Sequence, residues 1–171
     1  DVLGVEIVIA QGTHQAFHPG RTAQLRTQDG QTIGYAGELH PKLLQTENLP
    51  ERTCAFEVNF TELFASRSGV PQASPIYGYP AATQDVALVV DENIPASEVA
   101  QALRDGAGEL LEDLRVFDDY RGQGVESGKK SLAFAMRFRA PDRTLTAEEA
   151  SASREAAVAV AAERFGAVAR V

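Results

Sequence analysis

One break constrains this chain more than any other feature. Between residues 65 and 80 the run ASRSGVPQASPIYGYP collects Ser, Gly and Pro and loses all hydrophobic periodicity. Each side of such a break must find its own core, and what it can build is bounded by its own strands and helices. With 171 residues and 44% apolar content, the chain has material for one ordinary core or two small ones. The break reads as a linker over 67–79, between a segment 1–66 and a segment 80–171.

The first segment is β-rich. VEIVIA, TAQLRT, TIGYAGEL and CAFEVNF read as four strands, with Asp29-Gly30 turning the second into the third and a short helix opening at Pro41. These elements lack the helices to cover a sheet, so the expectation is part of a larger domain. The absence of an initiating Met, with a strand-like run almost at once, points the same way.

The second segment has a clearer order. TQDVALVVD alternates, with Val86, Leu88 and Val90 on one face and Asp85, Ala87 and Val89 on the other. Pro95 opens a helix carrying Val99, Ala102, Leu103 and Gly106 at helical spacing, which Gly106 and Gly108 are placed to end. LLEDLRVFDDY and KSLAFAMRFRA are two strands joined across a loop from Gly122 to Gly128. Thr146 and Glu149 have capping-box spacing at the start of an Ala-rich helix to about Phe165, and GAVARV supplies an edge strand. The order βαββαβ predicts a ferredoxin-like α+β sandwich, with two helices on one face of an antiparallel sheet.

The other face is then free. Leu132, Phe134, Met136 and Phe138 alternate inward, leaving Ser131, Ala133, Ala135, Arg137 and Arg139 outward, and Ala87 is outward on the first strand. Taking Phe117 as a core residue puts Val116, Asp118 and Tyr120 outward; Asp113 and Arg115 then fall inward, which predicts a bulge or fraying. Small residues leave room for a flat ligand, Tyr offers a stacking plane, Asp can accept from a base edge, and Arg or Lys can meet phosphate. A solvated sheet face is the commoner use of such a surface, and the residues alone leave both readings open.

A net charge of −8 and a pI near 4.9 argue against indiscriminate nucleic-acid binding, so any basic site must be local. Between residues 115 and 143, Arg115, Arg121, Lys129, Lys130, Arg137, Arg139 and Arg143 outnumber Asp118, Asp119, Glu126 and Asp142. The single Cys54 excludes an internal disulfide and supplies no zinc set, and its strand setting predicts burial. His14 and His18 are four apart, but THQAFHPG is not a helical segment and reads as a loop with ordinary histidines. GVESGKKS lacks phosphate-loop spacing and joins strand to strand, so it reads as a hairpin loop. Glu109, Glu112 and Asp113 have no His or nucleophile beside them and read as a solvated strand end. No apolar run approaches a membrane span and no basic flank marks a signal peptide, so a cytoplasmic setting without a membrane partner is expected.

YPAATQDVALVV, FDDYRG, GKKSLAFAMRFRAPDRTLTAEE and the terminal ERFGA resemble the ferredoxin-fold anticodon-binding domain at the C-terminus of bacterial phenylalanyl-tRNA synthetase β subunits. FHPGRTAQL and IGYAGELHPKL resemble the end of the catalytic-like module of those subunits, a class II synthetase sheet fold that has lost its active site. The resemblance implies that Tyr120 stacks on an anticodon base with Ala87 on the opposite side, while Asp118 and Ser131 bond base edges. Arg121, Lys129, Lys130, Arg137 and Arg139 are the candidates for the tRNA backbone. It also implies a partner α subunit in an (αβ)2 heterotetramer, which uses ATP and Mg2+, and no catalysis, cofactor or metal in the present portion. The pair Gln84-Asp85 departs from the Arg-Asp common in that family and puts a basic contact at 84 in doubt. Two other uses of the fold stay open. An acylphosphatase-like enzyme would need an Arg-bearing loop after the first strand, where VDENIP has none; a small-molecule regulatory module would pair sheets side by side.

Overall fold

A computed structural model describes residues 3–67 and 78–170, in two compact units, Asp1–Ser74 and Pro75–Val171. Most of the expected linker, residues 68–77, lies outside the described residues.

In the first unit β1 (Ile7–Gln11), β2 (Phe17–Thr27), β3 (Thr32–Leu39) and β4 (Cys54–Val58) form an antiparallel sheet in that order. Gly30 takes φ 89°, a left-handed value that favours glycine, and so closes the β2–β3 turn. Helix α1 (Pro41–Thr46) is capped by His40, whose Nδ1 accepts from the Lys42 N–H at 3.2 Å. CAFEVNF stops being a strand at Val58 because the Asn59 side chain accepts from the N–H groups of Thr61 and Glu62 and starts α2 (Phe60–Ala65), a helix the sequence reading missed. Cys54 corrects a second expectation. It stands at the start of the edge strand β4 and is exposed, its thiol donating to the Arg52 carbonyl.

The second unit contains β5 (Ala82–Asp91), α3 (Ala96–Ala107), β6 (Leu111–Tyr120), β7 (Lys129–Phe138), α4 (Ala147–Phe165) and β8 (Val168–Ala169). The sheet order is β6-β7-β5-β8 with every pair antiparallel, the arrangement expected of a ferredoxin-like sandwich. Leu88, Val90, Leu132, Phe134, Met136 and Phe138 meet Val99, Ala102, Leu103, Ala150, Ala157 and Ala161 of the two helices in one buried cluster. Gly106 does not end α3. A Cβ there would stand 2.8 Å from the Ala156 carbonyl oxygen and the Ala157 Cα, so glycine is what lets α3 lie close against α4. Gly108, at φ 72°, is the C-cap. The capping box is present: the Thr146 hydroxyl accepts from the Glu149 N–H at 3.2 Å and the Glu149 carboxylate accepts from the Thr146 N–H at 3.0 Å.

Candidate nucleic-acid interface

Cross-strand partners share a face, so the register spells out the uncovered side of the second sheet row by row. One row runs Val168, Val89, Ser131, Tyr120. The next runs Ala87, Ala133, Asp118, with Arg170 joining beside Ala87 through a 2.8 Å bond from its N–H to the Ala87 carbonyl. Asp85, Ala135 and Arg115 follow, and then Thr83, Arg137 and Asp113.

Two bulges in β6 decide which of its residues reach this face. The register shifts between Leu111 and Asp113 and again between Val116 and Asp118, making Glu112 and Phe117 the extra residues. Phe117 is therefore not in the core but 55% exposed; Leu114, opposite Met136, is the residue β6 buries. Val116 lies opposite Phe134 on the helix side, and Asp113 and Arg115 are on the open side, the reverse of the sequence reading. The bulge at Phe117 then switches the phase. Asp118 and Tyr120 join Ala87 and Ser131 on the open face, so all four residues expected there are together.

Tyr120 borders a floor of Ala87, Ala133 and Ala135 and is 38% exposed. Its hydroxyl donates to the Gln123 carbonyl at 3.3 Å. A Cβ on Gly122 would fall 2.5 Å from that hydroxyl, so the hairpin loop closes against the ring only because residue 122 is glycine. The Arg170 guanidinium carbon lies 5.5 Å from the ring centroid, a cation–π contact that no local sequence pattern announced.

The ferredoxin-fold anticodon binding domain family matches residues 78–170, and the CLM domain of the phenylalanyl tRNA synthetase beta chain matches residues 1–60. The chain belongs to the phenylalanyl-tRNA synthetase β-chain family. It is 54% identical over 170 residues to a phenylalanine–tRNA ligase beta subunit of Streptomyces avermitilis, covering 98% of this chain and 20% of that relative. The corresponding subunits of Thermobifida fusca (51% over 172 residues; 99% of this chain, 21% of the relative) and Mycobacterium leprae (47% over 171 residues; 99% and 20%) are similar along the same span. The chain thus spans about a fifth of the length of the curated relatives it matches.

In this β-chain domain most of the candidate cations already hold a carboxylate. Arg121 reaches Glu92 at 3.2 Å and Asp119 at 2.8 Å, and Lys129 reaches Glu126 at 3.0 Å, which raises the lysine pKa. Arg137 and Arg139 each place Nε on a different oxygen of Glu112, at 2.7 and 3.0 Å, and Arg139 also donates to the Tyr79 carbonyl. Glu112 is thus a brace between two arginines and not merely part of a solvated strand end. The pairs of Arg121 and Lys129 are exposed and contribute little, so exchanging their carboxylates for a phosphate costs little, whereas Glu112 and Arg139 are largely shielded and hold each other more firmly. Arg115 is exposed on the open face and makes no ion pair among the described residues, which adds it to the candidates.

Lys130 has to be corrected. It lies opposite Val90 on the helix side, only 5% exposed, and burial pushes its pKa down, so it does not share the open face with the other cations. Gln84 likewise faces the helices, donating from Nε2 to the Ser151 hydroxyl of α4 at 3.0 Å. The glutamine at this position therefore removes no cation from the open face. His14 stacks 4.8 Å from Tyr35 and places Nε2 3.4 Å from Glu57, while His18 accepts from the Gly20 N–H. Among the described residues no group of three His, Cys, Asp or Glu could hold a metal ion, and no helix is long and apolar enough to cross a membrane.

Proposed function

We propose that the open face of the second sheet receives the anticodon region of tRNA(Phe) and orients it for aminoacylation. The observation that carries this reading is the strand register, which puts Tyr120 and Ala87 on one face two strands apart with Ala133 between them and Asp118 and Ser131 alongside, and so defines a site for a flat ligand. A base entering it stacks on Tyr120, stays clear of Cβ branches below, and finds an acceptor in Asp118 and a hydroxyl in Ser131. Arg121, Lys129, Arg137 and Arg139 meet phosphates by exchanging carboxylate partners, and Arg115 meets one without such an exchange; Lys130 has no part in this. The units divide as 1–66, a linker 67–79 and 80–171. The first is the end of a catalytic-like module and supplies no catalytic group. In the assembled cytoplasmic synthetase an α subunit, in an (αβ)2 heterotetramer, uses ATP and Mg2+ to activate phenylalanine and charge the tRNA.

The test is binding of the tRNA(Phe) anticodon stem-loop to the 171-residue chain across a salt series. Affinity should fall steadily as salt rises, with a shallow slope because few phosphates are neutralised. A flat salt dependence, or equal affinity for a stem-loop with a scrambled anticodon, contradicts the reading.

A further inference from the structure

Ser131 is only 5% exposed although it stands on the face that no helix covers. Its partners in the sheet, Val89 and Tyr120, flank it; Lys129 and Asp91 form the row on one side, and the row on the other side, Ala87 and Ala133, is small. On the small side a further side chain lies over this face. Arg170 leaves the sheet beside Ala87 on the β5 side, yet its guanidinium reaches the Tyr120 ring on β6, so the side chain crosses above the alanine floor. A Cβ on Gly124 would stand 3.4 Å from one of its terminal nitrogens, which places the guanidinium against the same hairpin that touches the Tyr120 hydroxyl. The planar cation therefore occupies the space between Ala87 and Tyr120.

Resting on the assignment of Tyr120 as a stacking platform, we propose that Arg170 is a displaceable placeholder for the base. In the free chain it covers the Tyr120 face turned toward Ala87; an incoming base takes that face, uncovers Ser131, and sets the guanidinium free to meet the RNA backbone. The exchange sets a threshold for entry, because a ligand must offer a π-face good enough to replace a cation–π contact. It also keeps the alanine floor covered when no RNA is bound.

Side-chain NMR of the 171-residue chain tests this. The Arg170 Nε–H resonance should be shifted upfield by the Tyr120 ring, and Tyr120→Leu should abolish the shift. Adding the anticodon stem-loop to wild type should move the Arg170 signal to its Tyr120→Leu position while the Tyr120 ring signals also change. If the Tyr120 ring signals move and Arg170 keeps its shift, the base stacks elsewhere on Tyr120 and the placeholder role is wrong. If neither moves, the tRNA reading of this face fails and the placeholder role falls with it. Affinity gives an independent readout. At high salt, where the charge of Arg170 is screened, Arg170→Ala should bind the stem-loop about two- to fivefold more tightly, the factor a surface cation–π contact represents. Unchanged or weaker binding at high salt overturns the proposal.

Discussion

In the second unit Leu88, Leu132, Phe134 and Phe138 are fully shielded, whereas in the first unit Ile9, Phe56 and Phe60 remain exposed, Phe56 at 75%. Both units are four-stranded antiparallel sheets. The difference is what lies on them. The second sequence segment encodes two long helices whose small faces, Ala102, Ala150, Ala157 and Ala161, close over one side of its sheet. Among its described residues the first has two helices of six residues, α1 and α2, neither of which buries a residue. A strand pattern alone makes a sheet; a core needs a second layer. The same contrast explains why the open side of the second sheet can be specialised. Its partner face carries the stability, so small residues, charges and one aromatic can sit opposite.

The most severe way to break this comparison is a matched pair of truncations. Phe134→Ala should cost the second unit about 3–5 kcal/mol in denaturant unfolding, the usual range for a buried Phe. Phe56→Ala should cost less than about 0.5 kcal/mol, as an exposed substitution does. Similar losses at the two sites would mean that the first sheet is finished as fully as the second.

A smaller effect is expected at Lys130. Burial disfavours its charged form, and its folded pKa lies below the ordinary value of 10.5. The penalty is fully present at neutral pH and is relieved as pH rises through the folded pKa toward 10.5, because there the unfolded chain holds the extra proton. Lys130→Met should therefore leave stability at pH 7 unchanged or raised by less than about 1 kcal/mol, with the wild type gaining on the variant in the alkaline range. Stem-loop affinity should not change. Binding lost to the same extent as in Lys129→Ala would place Lys130 at the RNA after all.

How far the sequence led differs between strands for physical reasons. β5 and β7 alternate without interruption, so Val86, Leu88 and Val90, and Leu132 to Phe138, could be assigned to faces by parity. β6 could not be read that way, because the bulges at Glu112 and Phe117 each reverse its phase and parity counted from Phe117 starts at the bulge itself. Parity from Phe117 therefore puts Asp118 and Tyr120 on the right side and Val116, Phe117, Asp113 and Arg115 on the wrong one. Gly106 looked like a helix stop because glycine usually is one; its reason lies in a contact with α4 fifty residues away. Asn59 with Glu62 three residues on is a legible helix start, masked in CAFEVNF by the strand pattern that precedes it. Arg170 left no signal, since its role depends on where β8 docks.

The most direct measurement compares wild type, Tyr120→Ala and Tyr120→Phe for binding of the tRNA(Phe) anticodon stem-loop and for thermal unfolding. Tyr120→Ala should weaken binding by about 1–3 kcal/mol, the range for loss of a base–aromatic stack, with little change in unfolding. Tyr120→Phe keeps the ring plane and should retain most of the affinity, losing only the bond to Gln123. If Tyr120→Ala instead unfolds the domain while each folded molecule binds RNA as tightly as wild type, Tyr120 is part of the scaffold and the open face is not the anticodon site.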